Sequence, residues 1–415
     1  MRRTWPAATA LVAVTALLAG CGGGGPGSGG GRISGGKISL GVLTDLSGVY
    51  ADLAGPHAVA AVQMAVDDFQ QKYGDKAVAK NIDVVSADHQ NKPEIANTQA
   101  REMYDRKGVD AIFDVPTSSA ALAVATVAKQ SKRLYFNVGA ATTELSGKSC
   151  NPYTYEWAYD SYMLANGTGT EVTRQGGKGW YLLYPDYAFG QDMQAKFTAA
   201  IAGAGGKVVG KDPTPFPSDN FSTFLLKAAS ANPKPQVLGA LQAGGDLVNL
   251  VKQYQQFKLQ DKGIKLAVGL MFDSDITSIG QRNLAGTMYT SAWFWGLDAQ
   301  SQSWAQRFKA KTGVYPTFDQ AANYSAATHY LEAVQKAGSD KPDAVSKVLD
   351  GMKFSDFFAR NAQIRAADHR VVHDAYLVSV KDPSASKENG DYDQLVKTIP
   401  AAQAFEQPSS DCRMS

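Results

Sequence analysis

The sequence predicts an α/β protein with two lobes, each containing a parallel β-sheet covered by helices on both faces. From residue 37 onward, short apolar stretches alternate with segments in which apolar residues recur at helical spacing. An aromatic segment, Tyr153 to Tyr159, interrupts this alternation, which begins again at Trp180. The chain has 415 residues, more than one hydrophobic core usually serves, so we expect two lobes.

The strands and helices of the first lobe are predicted to alternate regularly. Pro93 stands in the first turn of the second helix, where proline's missing N–H costs nothing. One hydroxyl residue of Thr117-Ser118-Ser119 is expected to cap the third helix. This order predicts a parallel sheet with both faces covered. The predicted strands are 38–42, 82–87, 109–113 and 134–138.

The same order returns after the aromatic segment. Asp219 or Ser218 is expected near the cap of the second helix there. Strands are predicted at 180–184, 207–209, 236–241 and 265–270, and helices at 191–204, 220–231 and 246–257.

The last part of the chain is richer in helices. Because these helices lack intervening strands, we expect them to pack on the first lobe. The chain then crosses between the lobes three times, and the cleft at the carboxyl ends of both sheets becomes the expected ligand site. Helices are predicted at 301–311, 319–336 and 342–352, and strands at 287–292, 357–364 and 371–380. The predicted divisions are 37–160 and 284–356 for lobe 1, 161–283 and 357–405 for lobe 2, and 406–415 for a C-terminal tail.

The N-terminal residues are interpreted as a targeting segment. Arg2 and Arg3 precede an apolar run, 7–19, that is too short to span a bilayer. The run ends in Leu-Ala-Gly-Cys21, which is typical of a lipobox, so residues 1–20 are predicted to be a lipoprotein signal peptide and Cys21 to be lipidated. An ordinary secretory signal with an accidental cysteine is the alternative. The Gly-rich segment 21–36 is predicted to be a flexible tether to the outer face of the cytoplasmic membrane, at the cell surface or in the periplasm.

Only Cys150 and Cys412 remain after Cys21. In an exported protein two remaining thiols are expected to pair, and two free thiols are the alternative. The chain carries 41 basic and 39 acidic residues, so it lacks the concentrated positive charge of a nucleic-acid-binding protein.

Catalytic and metal-binding patterns do not fit this sequence. Gly176-Gly177-Lys178 lacks the spacing of a phosphate-binding P-loop, and no GxSxG motif occurs. His369 and His373 are four residues apart, but they flank a predicted strand, where this spacing does not form a metal-binding face. We therefore expect no enzyme activity, no metal and no cofactor.

The order of several motifs resembles that of a known family. The stretches are TDLSGVYADLAG, AVDDF, SSAALAV, GAATTELSGKSC, EWAYDSYMLANGTG, YPDYAFG, GGD and IRAADHRVVHDAYLVSVKDP. Together they resemble the type I bacterial solute-binding proteins of the leucine/isoleucine/valine-binding family, over residues 37–412. The resemblance implies two Rossmann-like lobes joined by a three-segment hinge, the periplasmic binding protein-like I fold.

The resemblance also implies a function. The protein would be the extracytoplasmic solute-binding component of an ABC importer, monomeric, delivering its solute to a membrane permease. It would bind a small carboxylate-bearing solute, such as a branched-chain amino acid, between the lobes. The alternatives are aromatic carboxylates or amides as ligands, or a sensory receptor with the same fold.

The family pattern assigns ligand contacts residue by residue. Ser118 would receive the carboxylate at a helix N-terminus, where free N–H groups favour an anion, although it could instead only cap its helix. The small turn of Ala140, Ala141 and Thr142 would hold the carboxylate or ammonium. Tyr187 and Phe189 would close over the ligand from the second lobe, with core packing as their alternative.

Further candidates follow the ends of other strands. Asp273 would pair with an α-ammonium if it faces the cleft, and would otherwise favour a simple carboxylate as the ligand. Gln242, Trp293 and Tyr50 are also expected near the cleft. Asp114 departs from the family pattern because it stands where relatives often have glycine.

Overall fold

The computed structural model describes residues 33–414. Its first sheet is parallel, with strand order β2-β1-β3-β4-β5. The strands and helices of this part are β1 Lys37–Thr44, α1 Gly55–Tyr73, β2 Asn81–Asp88, α2 Pro93–Arg101, β3 Ala111–Asp114, α3 Ser118–Ser131, β4 Leu134–Asn137 and β5 Thr154–Glu156.

Apart from β5, which the sequence assigned to the aromatic segment and not to the sheet, these elements form where the apolar pattern predicted them. Every residue of β3 and β4 is buried, as expected for strands covered on both faces. Pro93 opens α2 as predicted. The predicted hydroxyl cap of α3 is wrong: Thr117 occupies the cap position, but its hydroxyl donates to the side chain of Asn91 instead of accepting from α3.

A second parallel sheet follows the aromatic crossing segment, with strand order β7-β6-β8-β9. Phe221 precedes α7 and makes no side-chain cap, so the cap predicted at Ser218 or Asp219 does not form. The elements are α4 Ser161–Leu164, α5 Thr170–Arg174, β6 Gly179–Pro185, α6 Ala188–Gly203, β7 Lys207–Thr214, α7 Ser222–Ala229, β8 Val237–Ala240, α8 Gly244–Gln256, β9 Lys265–Val268, α9 Asp273–Ile279 and α10 Gln281–Leu284.

The remaining strands are antiparallel and form two small sheets, β10-β14-β15 and β11-β12-β13. The long helix α12 packs against α1, where Glu332 accepts from Lys72 and Tyr73 at 2.7 and 2.6 Å. The elements are β10 Met288–Ser291, α11 Ala299–Thr312, α12 Phe318–Ala337, α13 Pro342–Leu349, β11 Lys353–Phe354, β12 Ala362–Ile364, β13 Val371–Val372, β14 Ala375–Val380, β15 Asp393–Ile399 and α14 Ala401–Ala404.

The α/β fold with two parallel sheets is confirmed, and the division into lobes stays a prediction. Strand β10 pairs with β14, which was assigned to the second lobe. We therefore propose that the second crossing follows Ser291 and not residue 283.

The predicted signal peptide, Cys21 and residues 22–32 lie outside the described residues. The described end of the predicted tether, Ser34–Gly36, forms a short 3₁₀ turn, and the amide of Ser34 donates to Asp340 at 2.7 Å. Among helices within residues 33–414, none combines the length and the hydropathy that crossing a membrane requires.

Candidate functional site

A small cavity of about 10 Å³ lies at the carboxyl ends of the two parallel sheets. Its walls come from the segments after β1, β3, β4, β6, β8 and β9 and from the crossing after β5. A space of this size holds about one water molecule, so the two sides are packed closely together here. The lining residues are Tyr50, Leu53, Pro116, Gly139, Ala141, Tyr159, Tyr187, Phe189, Ala243, Leu270 and Phe272.

Two tyrosines join the two sides of this cavity. Tyr50 follows β1 and Tyr187 follows β6, and their hydroxyl oxygens lie 2.6 Å apart. The ring of Phe216 packs against both, with centroid distances of 5.6 and 4.3 Å. Burial raises the pKa of both hydroxyls, so each stays protonated and able to donate.

Asp45 fixes the loop that carries Tyr50. Its carboxylate accepts from the amides of Gly48 and Tyr50 at 2.7 and 2.8 Å, and from Asn91 Nδ2 at 2.5 Å. Asn91 in turn accepts from the hydroxyl of Thr117, just before α3. This series of hydrogen bonds connects the Tyr50 loop to the start of α3.

Further contacts hold the two sides together. The amide and hydroxyl of Thr143 donate to Asp192 on α6 at 2.7 and 3.0 Å. The amide of Gly245 donates to Val49 O at 2.9 Å. At Gly244, whose φ is 55°, a Cβ would lie 2.3 Å from Val49 O, so only glycine permits this approach. The structure is therefore a closed arrangement.

Ser118 opens the 14-residue helix α3 beside the cavity. The side chain is buried, and among the described residues its Oγ has no hydrogen-bond partner. The first amides of a helix lack intrahelical acceptors and carry the positive end of its dipole. Ser118 and these amides can together receive an anion.

The loop before α3 has an unusual backbone. Asp114 and Val115 have φ values of 81° and 67°, in the left-handed region that β-branched residues in particular avoid. Such conformations persist where the surrounding structure imposes them and are frequent at functional sites. Here they direct Pro116 to the cavity wall.

The small turn after β4 forms another wall. The side chain of Asn137 bonds both the N–H and the C=O of Ala140, at 3.2 and 2.8 Å. The hydroxyl of Tyr159 donates to Gly139 O at 2.6 Å, and Ser161 N donates to Ala141 O at 2.8 Å. The aromatic crossing segment therefore holds this turn in place.

A pair of buried carboxyl groups lies behind Gly139. Asn323 Nδ2 donates to Asp114 at 3.3 Å and to Asp319 at 3.1 Å. Burial raises the pKa of Asp114 to about 6 and that of Asp319 well above its usual value. A Cβ at Gly139 would lie 2.8 Å from Asp114 Oδ1 and 2.7 Å from Pro116 Cα, so glycine is required between the pair and the cavity.

The predicted site residues fall into two groups. Most of them lie at the cavity or beside it. Gln242 lies next to the wall residue Ala243, and the Nε2 of Gln242 donates to the hydroxyl of Thr214 at 3.3 Å. Four of the predicted residues line the cavity, namely Tyr50, Ala141, Tyr187 and Phe189. Three more are buried in the same loops without lining it, namely Ser118, Ala140 and Thr142.

Two predicted residues lie elsewhere, which corrects their expected placement. Asp273 faces a separate groove with Asp52 and His57, although it directly follows the wall residue Phe272. Trp293 is in the core, where its Nε1 donates to Ser301 Oγ at 3.0 Å and Phe357 O at 2.9 Å.

Sequence reasoning missed several wall residues. Tyr159 belonged to the aromatic segment, which the sequence assigned to the crossing alone. Ala243 and Phe272 follow β8 and β9 closely, and position after a parallel strand was the signal that could have identified them. The others are Leu53, Pro116, Gly139 and Leu270.

The segments around Glu156 and Arg370 meet away from the cavity. Glu156 and Arg370 form an isolated parallel bridge, and the guanidinium of Arg370 lies 3.4 Å from Glu156 and 3.0 Å from Asp160. Arg370 also lies over the ring of Phe405, 4.5 Å from its centroid. His373 Nε2 bonds Ala158 O at 2.6 Å. These buried polar contacts fix the two segments side by side.

The C-terminal tail is attached to the turn after β4. Cys150 and Cys412 form a disulfide, with Cα atoms 5.4 Å apart. Within residues 33–414, no group of three or more His, Cys, Asp or Glu side chains is placed to hold a metal ion.

Comparison with known proteins gives the family context. A family described as periplasmic binding protein matches residues 37–389. Leu/Ile/Val-binding protein homolog 6 of Brucella melitensis is 26% identical over 59% of this chain. That match covers 63% of the relative, less than two thirds of its length.

Solved structures match over more of the chain. A periplasmic binding protein from Burkholderia mallei is 43% identical, covers 90% of this chain and 97% of its own, and has a TM-score of 0.85. A branched chain amino acid ABC transporter periplasmic ligand-binding protein from Burkholderia xenovorans is 37% identical, with coverages of 90% and 100% and a TM-score of 0.79. A solute binding protein from R. palustris in complex with benzoate is 20% identical, with coverages of 91% and 100% and a TM-score of 0.78, and shows the shared fold alone.

Proposed function

Since the chain belongs to the periplasmic binding protein family, we propose that it is the extracytoplasmic solute-binding component of an ABC importer. The observation that carries this proposal is the closed cavity between the two parallel sheets, bridged by the hydroxyls of Tyr50 and Tyr187. Residues from both sides surround the space, so a bound solute contacts both only when they are closed together.

The solute in this proposal is a small carboxylate. Its carboxylate is received at the start of α3, by Ser118 and the first-turn amides, beside the turn of Ala141 and Thr142. Supporting this, Ser118 Oγ is buried and has no partner within residues 33–414. Tyr187 and Phe189 then cover the body of the solute from the opposite side.

Binding and closure are coupled. A solute that contacts both sides binds the closed form more tightly than the open form and shifts the population toward it. In this proposal the contacts Thr143–Asp192 and Val49–Gly245 form only on closure. They therefore stabilise the closed form, whichever solute is bound.

The proposed role includes no chemical reaction on the solute. The solute is released unchanged to a membrane permease that recognises the closed protein. Cys21 carries a lipid anchor in this proposal, and the protein acts as a monomer outside the cytoplasm.

Binding is tested by thermal-shift screening of the purified protein against amino acids, amides and aromatic carboxylates. A ligand that binds only the folded protein raises the melting temperature in proportion to the logarithm of its concentration over Kd. Hits are then measured by calorimetry and recovered by chromatography. Recovery of an altered compound would contradict the proposal, and so would the lack of any hit in all three classes.

A further inference from the structure

We propose that the cavity selects a ring-bearing carboxylate without an ammonium group over the amino acid of the same shape. This inference rests on the proposed function, since it names the class of solute for the same cavity. It is carried by the charges and the shapes of the walls.

The described walls of the cavity contain no charged side chain. They consist of aliphatic residues, small residues and five aromatic rings. An ammonium group buried against such walls loses its water and gains no counter-charge, which is strongly unfavourable. A carboxylate differs because the start of α3 offers it hydrogen-bond donors.

The acids nearest to the cavity are already engaged by protein groups. Both carboxylate oxygens of Asp246 accept from Ser218 N, at 3.1 and 3.0 Å. Asp275 accepts from Phe272 N at 3.0 Å, and Asp192 holds Thr143. None of these three carboxylates is a cavity wall.

Three further acids are separated from the cavity. Asp114 and Asp319 lie behind the backbone of Gly139 and share the amide of Asn323. Asp273 faces a different groove. The cavity walls therefore offer an α-ammonium no carboxylate in the closed structure.

The rings of the walls favour a flat apolar body. The ring of Phe318 packs against two wall residues: it stacks on Phe272 at 4.4 Å and meets Tyr159 edge-on at 5.0 Å. Phe318 therefore fixes the positions of these two wall rings. Aromatic pairs gain from stacked and edge-to-face contacts beyond the area that they bury. The Tyr50–Tyr187 bond uses one of two hydroxyl protons, which leaves one O–H for a polar atom of the solute.

The experiment compares matched ligands that differ only in the ammonium group. Calorimetry measures 3-phenylpropanoate against phenylalanine, and 4-methylpentanoate against leucine. We expect the compound without the ammonium to bind roughly tenfold or more tightly in each pair, and 3-phenylpropanoate to bind more tightly than 4-methylpentanoate. Tighter binding of phenylalanine or leucine would overturn the inference while leaving the proposed function intact. The same holds if 4-methylpentanoate binds more tightly than 3-phenylpropanoate.

A variant pair tests the cause. Ala243 is a buried wall residue, and Ala243→Asp adds a carboxylate that Ala243→Asn lacks at nearly the same size. We expect Ala243→Asp to shift the phenylalanine to 3-phenylpropanoate affinity ratio toward phenylalanine at least roughly tenfold relative to Ala243→Asn. Equal ratios in two folded variants would contradict the electrostatic cause. If either variant fails to fold, the ligand pairs on the unaltered protein decide. If no carboxylate of either kind binds the unaltered protein, the proposed function itself fails.

Discussion

The hydroxyl oxygens of Tyr50 and Tyr187 lie 2.6 Å apart, and this one hydrogen bond spans the candidate cavity from β1 to β6. In the proposed mechanism it forms only in the closed arrangement. The strength of this bond therefore contributes to the equilibrium between open and closed forms, and so to the affinity for any solute.

Replacing Tyr187 by Phe should weaken solute binding with little effect on folding. The change removes a hydrogen bond worth ~0.5–1.5 kcal/mol and leaves the hydroxyl of Tyr50 without its partner, so we expect a loss of about 3- to 30-fold in affinity. Calorimetry with any thermal-shift hit measures it. Tyr184→Phe, in β6 but outside the cavity walls, is the matched control, and equal losses in both variants would argue against the bridge.

The combined change Ser118→Ala and Thr142→Ala should weaken carboxylate binding far more than folding. Hydrogen bonds to a charged group contribute ~1.5–3 kcal/mol, so we expect roughly 10- to 100-fold weaker binding. Ser119→Ala, one position along the same helix, is the control. An unchanged Kd for the double variant would remove both residues from the site.

The stability of the protein should fall as pH rises from about 4 to about 7. Burial raises the pKa of Asp246 to about 7, so across this range the folded state binds more protons than the unfolded state, and rising pH favours unfolding. Asp246→Asn should reduce the pH dependence by roughly 1–3 kcal/mol. Urea unfolding at several pH values measures this, and a slope unchanged by the substitution would contradict the assignment.

Removing the charge of Arg370 should destabilise the fold. In Arg370→Met the buried carboxylates Glu156 and Asp160 lose their shared partner, which typically costs ~3–5 kcal/mol. Glu156→Gln should cost less, because Asp160 remains beside Arg370. Denaturant unfolding of both variants checks this order, and the reverse order would show that Asp160 contributes little.

The disulfide should be detectable directly. Without reductant, mass spectrometry should find the Cys150 and Cys412 peptides linked and the chain lighter by the mass of two hydrogen atoms. The variant Cys150→Ser with Cys412→Ser should unfold about 2–4 kcal/mol more easily. Labelling of both cysteines in the unreduced protein would exclude the bond.

Local patterns predicted most of the fold because parallel strands buried on both faces are continuous apolar runs between helices. The sheet partner of β10 could not be predicted, because β14 lies far along the chain and pairing depends on contacts that periodicity does not report. For the site, the family resemblance predicted Ala141 and Tyr187. Position after a strand predicted Tyr50. It could not separate the wall residue Phe272 from its neighbour Asp273, since the direction of each side chain depends on where α9 begins.

The bond between Cys150 and Cys412, 262 residues apart in sequence, makes most of the chain a closed covalent ring. The ring includes β5 and all four strands of the second parallel sheet, whereas β1 to β4 lie outside it. A protease that cuts one exposed loop between these cysteines leaves both fragments covalently joined. Such a nicked molecule would run at full mass on a gel until a reductant separates it, which suits a protein that works outside the cell's reducing interior.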